Sequence, residues 1–310
     1  MSNLARKVLV TGAGGYIGLP AVVALVAQGV EVHAIGRHDP GVPGLQFHQA
    51  DLLDEASVPA SIAQIKADTL LHMAWAVTPG QFWTDKSNLD WLIASLRLIR
   101  AFGAAGGSRI VGVGSCAEYD WSHSPLSELS SPIRPSTLYG TAKAAHASLL
   151  AAYALEANLS SAWARIFFLY GPREPRGKLI SDTICALLEG RRVATTSGLQ
   201  KRDFMHVEDA GRAIASLATS QLEGPVNIAS GKSVAVRELI GLVERATATT
   251  ALVDFGARPM PAGDPMDLEA DTSRLHSEMG FAPKFSLPSG IADTVDWWRQ
   301  NHSCASEMQL

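Results

Sequence analysis

A chain of 310 residues with 26 Lys and Arg against 30 Asp and Glu carries a net charge of −4. It therefore offers no electrostatic footprint for nucleic acid, and no basic cluster supplies one. Hydrophobic content of 47% with 18% charge suits a well-packed globular protein, long enough for one large α/β domain or a domain plus a smaller lobe. No apolar run approaches the ~18 residues of a membrane span, and no secretory apolar segment precedes the first strand-like run. Cys116, Cys185 and Cys304 are widely spaced, and His33, His38, His48, His72, His123, His146 and His206 lack metal-ligand spacing. Together these features point to a reduced, cytoplasmic protein without a disulfide or a metal site.

In chain order, Lys7–Thr11 reads as a strand, Tyr16–Gln28 as a helix and Val30–Ile35 as a second strand. Leu45–His48 is a short strand, Ser57–Lys66 a helix and Thr69–Met73 a strand. A long helix over Ser87–Ala105 leads into the strand Arg109–Val113, which ends in Gly-Ser. A Pro/Ser-rich loop, Ser122–Pro135, precedes an Ala-rich helix over Thr137–Ala157 and a strand over Ser161–Phe168. Near-continuously apolar strands alternating with helices predict a parallel, doubly wound α/β sheet. The second half is less regular, with helical stretches at Thr183–Glu189, Val207–Thr219 and Val236–Ala246 and an irregular run at Pro259, Pro261 and Pro265. The expected organisation is a main domain over 1–170, to which 207–229 returns, and a smaller lobe over 171–206 and 230–310.

The first turn, VTGAGGYIG, fits G-x-x-G-x-x-G through Gly12, Gly15 and Gly18. One glycine makes a tight turn, one admits a pyrophosphate, and one lets helix pack on strand. A helix opening at Tyr16 and Ile17 aims its free N–H groups at phosphate. The second strand ends in Gly36-Arg37, where an NAD site carries a carboxylate for the ribose 2′-hydroxyl. A guanidinium there suits a 2′-phosphate, so NADP is preferred. Asp39, two residues on, keeps NAD open, and Arg37 could also be a solvated loop residue.

Tyr139 and Lys143 are four apart and share a helical face, just after Ser136-Thr137, which suit an N-cap. A nearby ammonium is expected to lower the Tyr139 pKa and make the phenol an acid–base group. Ser115 ends a strand at the edge where open α/β sheets bind ligands, and either hydrogen-bonds the substrate oxygen or caps a turn.

The turn Thr11–Gly18, Gly-Ser115-Cys-Ala-Glu-Tyr119 and Tyr139-x-x-x-Lys143 together resemble the extended short-chain dehydrogenase/reductase family, in its nucleotide-sugar epimerase/dehydratase/reductase branch. The likeness continues through Asp51-Leu52, His72-Met-Ala74, Asn88, Arg165–Pro172, Arg202–Val207 with Asp209, and Asn227–Gly231. It implies a Rossmann domain with a C-terminal α/β substrate-binding lobe, and a catalytic set of Ser115, Tyr139 and Lys143. It places Asp51 and Leu52 at the adenine, Ala74 at the middle of the cofactor, Lys143 at the nicotinamide ribose and Arg202 at a substrate phosphate. It also implies a homodimer through helices 87–105 and 137–157.

A 4,6-dehydratase of this kind needs an Asp-Glu pair after the Ser, where this chain has Cys116-Ala117; Glu118 is the one nearby stand-in. An epimerase keeps NAD bound, whereas a reductase exchanges NADPH, which suits Arg37. NADPH-dependent reduction of a nucleotide-activated 4-keto-6-deoxyhexose is the first expectation, an epimerase the second, and an NADPH-sensing regulatory protein the non-enzymatic alternative. Phe168 stands where such proteins often place Asn, which opens the possibility of a substrate other than a nucleotide sugar. Cys116, Phe168, Arg202 and Arg258 are the candidate substrate contacts, with Arg173, Arg176 and Lys178 as further cations near the lobe.

Overall fold

The computed structural model describes residues 7–301, so Cys304 lies outside the described residues. Its first half alternates β1 (Lys7–Thr11), α1 (Gly18–Ala27), β2 (Glu31–Gly36), β3 (Leu45–Gln49), α2 (Ser57–Ile65), β4 (Thr69–His72), α3 (Ser87–Ala104), β5 (Arg109–Ser115), α4 (Leu138–Glu156) and β6 (Ser160–Ile166). There follow β7 (Phe168–Tyr170), α5 (Leu179–Leu188), β8 (Val193–Thr195), β9 (Lys201–His206), α6 (Val207–Thr219) and β10 (Gly224–Ile228). The chain ends with β11 (Ser233–Ala235), α7 (Val236–Thr247), β12 (Val253–Phe255), β13 (Asp267–Leu268) and α8 (Leu287–Gln300).

Seven strands form one parallel sheet in the order β10-β6-β5-β4-β1-β2-β3. Both faces are covered, which is why these strands are apolar along nearly their whole length. Ala21, Val22 and Leu25 of α1 and Ala210, Ile214 and Leu217 of α6 bury one face. Val58 and Ile62 of α2, Leu98 and Phe102 of α3, and Leu150 of α4 bury the other. The crossing of α1 and α6 is close because Gly211 has no side chain; a Cβ there would lie 2.7 Å from Ala21 N. The doubly wound α/β class expected from the alternation is therefore the one observed.

Two of the expected elements end where they do for a visible structural reason. The helix read from Tyr16 begins at Gly18, because residues 12–17 are consumed by the turn. The strand read over Ser161–Phe168 breaks at Phe167, whose N–H goes to Ile228 O. Phe168 instead opens β7 and pairs with Phe204 of β9 in a second sheet, where β11 and β13 also flank β9. That smaller sheet packs with α5, α7 and α8 around Ile184, Leu239, Val243 and Trp298, while β8 and β12 pair separately.

Sheet order reverses at β1, which lies between β2 and β4, so the crevice for a ligand opens at the carboxyl ends of β1 and β4. The turn after β1 enters that crevice. Gly12 has φ +75°, and a Cβ on it would lie 2.8 Å from Ala74 N, just beyond β4; a Cβ on Gly18 would collide with Gly12 O. Gly14 tolerates a side chain, its nearest neighbour being Pro40 at 3.7 Å. Gly18→Ala should therefore cost ~1–3 kcal/mol through overpacking, while Gly14→Ala leaves stability unchanged; urea unfolding of the two variants checks this.

Candidate active site

Gly15 N donates to Gly12 O at 3.0 Å and closes the turn, leaving Gly15 itself exposed. Helix α1 follows with Ile17 at its N-cap, no side-chain cap and no acidic residue in its first turn. Leu19 N donates to Gly15 O and Ala21 N to Ile17 O, and Pro20 has no N–H, so the Gly18 N–H is the one in the first turn left for a phosphate, and the missing Cβ atoms of Gly12 and Gly18 make the tight cradle. The residues present fit a dinucleotide. The Tyr16 hydroxyl is buried near Glu174 and Tyr170, and burial, then the Glu174 charge, pushes the phenol pKa well up.

The floor of the crevice is a buried relay. Thr11 Oγ1 accepts from Ala74 N (3.3 Å) and meets His72 Nδ1 at 2.6 Å, while His72 Nε2 meets Ser95 Oγ at 2.8 Å. Ser95 donates to Trp91 O (2.7 Å), so it accepts from His72 Nε2–H and leaves Nδ1 to accept the Thr11 hydroxyl. Burial first, and then Lys143, pulls the His72 pKa down to about 3, which keeps this tautomer neutral.

At the end of β2, Arg37 is exposed. Ala50 N donates to Gly36 O (2.9 Å), which draws Asp51 and Leu52 into the same corner. Asp39 turns back to accept from Gly41 N (2.9 Å), and Asp51 accepts from Leu53 N (3.0 Å).

Ser115 ends β5 and caps the 3-10 turn Cys116–Glu118: its Oγ accepts from Ala117 N at 3.2 Å, and its N–H donates to Glu118 Oε1 at 2.8 Å. Thr137 caps α4 by accepting from Gly140 N (3.1 Å), and Tyr139 N donates to Trp83 O (3.2 Å). Gly140 runs so close to Ala117 O that a Cβ would clash, and this contact brings the Ser115 turn and Tyr139 together. Tyr139 is buried against Phe82 (4.9 Å) and Trp83 (5.9 Å), beside Ser115. Lys143 Nζ donates to Val113 O (2.8 Å) and lies 3.9 Å from the centre of the Trp75 ring.

The expected lowering of the Tyr139 pKa by Lys143 is not what this arrangement produces. Burial raises the phenol more than the neighbouring Ser115 lowers it, and the Glu118 charge adds to the rise. Lys143 is itself pulled down to about 7 by burial, opposed by Glu118, and its ammonium is turned toward Val113 and Trp75.

Glu118 is fully buried and takes Trp163 Nε1 (2.9 Å) and Arg165 Nε (2.8 Å). Arg165 Nη1 reaches Tyr119 OH (3.0 Å), which donates to Asn227 Oδ1 (2.8 Å). A carboxylate so engaged cannot stand in for the missing Asp-Glu pair. The network was missed in the chain pattern, although Ser115-x-x-Glu118 is a capping-box spacing that could have signalled it. Also missed was the aromatic wall of Trp75, Phe82, Trp83 and Trp121 around Tyr139, where Trp121 Nε1 donates to Cys116 O (2.7 Å).

Cys116 packs with Tyr119, Leu126 and Phe167, and burial pushes its thiol up to about 12. Phe168 borders this cluster, with the Arg202 guanidinium 5.6 Å from its ring centre. Arg202 is held by Asp264 (2.6 Å) and Pro265 O (2.8 Å). Arg176 pairs with Asp182 (2.9 Å), Lys178 lies 5.8 Å from the Phe82 ring centre, and Arg173 is exposed. Arg258 is exposed beyond β12, with its backbone tied to Thr195 of β8. No metal-binding cluster and no helix long and apolar enough to cross a membrane occur among the described residues.

Residues 8–229 match the sequence model of the NAD-dependent epimerase/dehydratase family. The chain is 30% identical to dTDP-glucose 4,6-dehydratase of Streptomyces griseus, over 97% of this chain and 96% of that one. It is similar to MoeE5 solved with UDP-glucuronic acid and NAD (30% identity, TM-score 0.82, covering 95% and 99%). It is also similar to the UDP-glucose 4-epimerase of Thermus thermophilus solved with NAD (25% identity, TM-score 0.84, covering 94% and 99%).

Removing the Glu118 charge leaves Arg165 buried without compensation, so Glu118→Gln should destabilise by ~3–5 kcal/mol. Glu118→Gln combined with Arg165→Met should recover part of that loss in urea unfolding.

Proposed function

The protein is an enzyme of the NAD-dependent epimerase/dehydratase family, and on that premise we propose that it reduces a nucleotide-activated 4-keto-6-deoxyhexose with NADPH. The observation that carries this reading is a Tyr139 phenol kept protonated by burial beside the Ser115 turn, with the nearby Glu118 carboxylate already committed to Arg165 and Trp163. Dehydration requires an acid–base pair at Cys116-Ala117, positions that here hold a buried thiol and a methyl group.

In this scheme the turn Gly12–Gly18 and the start of α1 bind the pyrophosphate, Asp51 and Leu52 border the adenine, and Arg37 takes the 2′-phosphate. When bound, the dinucleotide supplies the hydride. Ser115 orients the keto oxygen, and Tyr139 donates its phenolic proton to that oxygen as it gains charge. Lys143, in its ammonium form, stabilises the phenolate left behind. A buried phenol with a raised pKa is a donor ready for reduction, whereas an oxidation-first reaction would need it deprotonated at the outset. Arg202, beside Phe168, would meet the substrate diphosphate on exchanging its bond to Asp264.

An epimerase retaining NAD is the second reading, favoured by the likeness to a UDP-glucose 4-epimerase solved with NAD. We further propose a cytoplasmic homodimer through α3 and α4, whose Leu89, Ile93, Leu149 and Leu155 are exposed.

The deciding experiment incubates the enzyme with NADPH or NADH and a panel of nucleotide 4-keto-6-deoxysugars and epimerisable nucleotide sugars. Net oxidation of NADPH by a keto-sugar is expected; epimerised product without net cofactor turnover would replace reduction with epimerisation. Tyr139→Phe should lower turnover by ~10²–10⁴-fold. Arg37→Ala should weaken NADPH ~10–100-fold, the worth of a charged hydrogen bond, and leave NADH unchanged; equal losses would remove the NADP assignment. Ile93→Asp with Leu149→Asp should sediment as a monomer, and an unchanged dimer would rule out this interface.

A further inference from the structure

Lys143 is an almost fully buried ammonium with an unusual set of neighbours. Its nitrogen has one hydrogen-bond acceptor in the structure, the Val113 carbonyl at 2.8 Å. The carboxylate that bears on it, Glu118 in the turn after β5, is already committed to Ser115 N, Trp163 and Arg165. The other titratable groups around it are His72 on β4 and, on α4 itself, Tyr139 and His146. Both imidazoles are buried and held neutral by that burial, and Tyr139 is held as the neutral phenol. No anion is therefore free to pair with Lys143.

Its second contact is the face of Trp75, 3.9 Å from nitrogen to ring centre. That is well inside the ~6 Å reach of a cation–π attraction, which strengthens when the pair is desolvated. The ring has little freedom. Trp75 Nε1 donates to Asn88 Oδ1 at 2.8 Å, and the Asn88 amide is oriented by Phe82 O and Asp85 O, each at 2.7 Å. Two carbonyls hold the Asn88 NH2, so the amide oxygen must face the indole. The His146 ring lies nearly parallel to Trp75, at 6.2 Å and 21°.

We propose that Trp75 is a positioning residue for this enzyme: its indole face, set by Asn88, holds Lys143 in the cationic form that a carboxylate would otherwise secure. The consequence for catalysis rests on the proton-donor assignment of Tyr139 made above. The phenolate left by proton transfer is stabilised by Lys143 only while Lys143 is charged. Burial brings Lys143 to about 7, so near neutrality a small contribution decides its charge. A cation–π contact moves a titration midpoint by roughly 0.4–1.5 in pH, enough to do so. The sign is definite: the ring favours the ammonium, so weakening its negative face lowers the Lys143 midpoint and moves the alkaline fall of activity to lower pH.

The test reads Lys143 directly in the ligand-free protein. Lysine labelled with carbon-13 at Cε is titrated by NMR, and the Lys143 signal is assigned by its loss in Lys143→Met. Protein made with 5-fluorotryptophan keeps the shape of each indole while withdrawing charge from its face. Fluorination should lower the Lys143 midpoint by ~0.2–0.5 in pH and leave it unmoved in the Trp75→Phe background, which controls for the other six tryptophans. An unchanged midpoint in the fluorinated wild type overturns the proposal, as does an equal drop without Trp75. If Trp75→Phe fails to fold, the wild-type pair decides alone. A lowered midpoint in an enzyme that turns over no keto-sugar would leave Trp75 as the partner of Lys143 and remove the reductase assignment instead.

Discussion

A carboxylate without solvent exposure organises the carboxyl edge of the sheet. Glu118 gathers Ser115 N at the end of β5, Trp163 and Arg165 on β6, and through Arg165 and Tyr119 the amide of Asn227 on β10. Asn227 in turn donates to Leu126 O and Asp271 O, so loops from both halves of the chain end on it. Buried ion pairs of this kind add little net stability, because removing two charges from water offsets most of their attraction. What they impose is geometry: an alternative packing would leave a charge unpaired. Ser115 therefore sits in one place, and α4, docked through Gly140 against the same turn, sets Tyr139 relative to it.

The same buried carboxylate shapes the electrostatics of the candidate site. It raises Tyr139 by repulsion and Lys143 by attraction, but it is hydrogen-bonded elsewhere and forms no pair with either. The outcome is a phenol that keeps its proton and an amine poised near neutrality, two groups driven in opposite directions from their usual values by burial. Such divergence suits proton donation followed by stabilisation of the anion. Glu118 itself is structural, held by Ser115 N, Trp163 and Arg165.

On the cofactor side the constraint is steric. No Cβ fits on Gly12 beside Ala74, so the turn can pass β4 only as glycine, and the Thr11–His72–Ser95 relay ties the same point to α3. The relay works only with a neutral His72, and burial supplies that condition. The turn leads into α1 with no side-chain cap, leaving the Gly18 N–H at its start.

Periodicity and spacing alone determined the doubly wound sheet, the extent of α3 and α4, the glycine turn, and the candidacy of Ser115, Tyr139 and Lys143. These are local properties: apolar runs, residues four apart on a helix, and glycines where no Cβ fits. Only the tertiary structure decided that the Tyr16 hydroxyl is buried near Glu174 and Tyr170, that Phe168 leaves the main sheet, that Glu118 is consumed by Arg165, and that Lys143 faces Trp75 rather than a carboxylate. Each of those depends on groups brought together from distant positions in the chain. Burial and charge pairing are sums over such neighbours, and no stretch of sequence contains them.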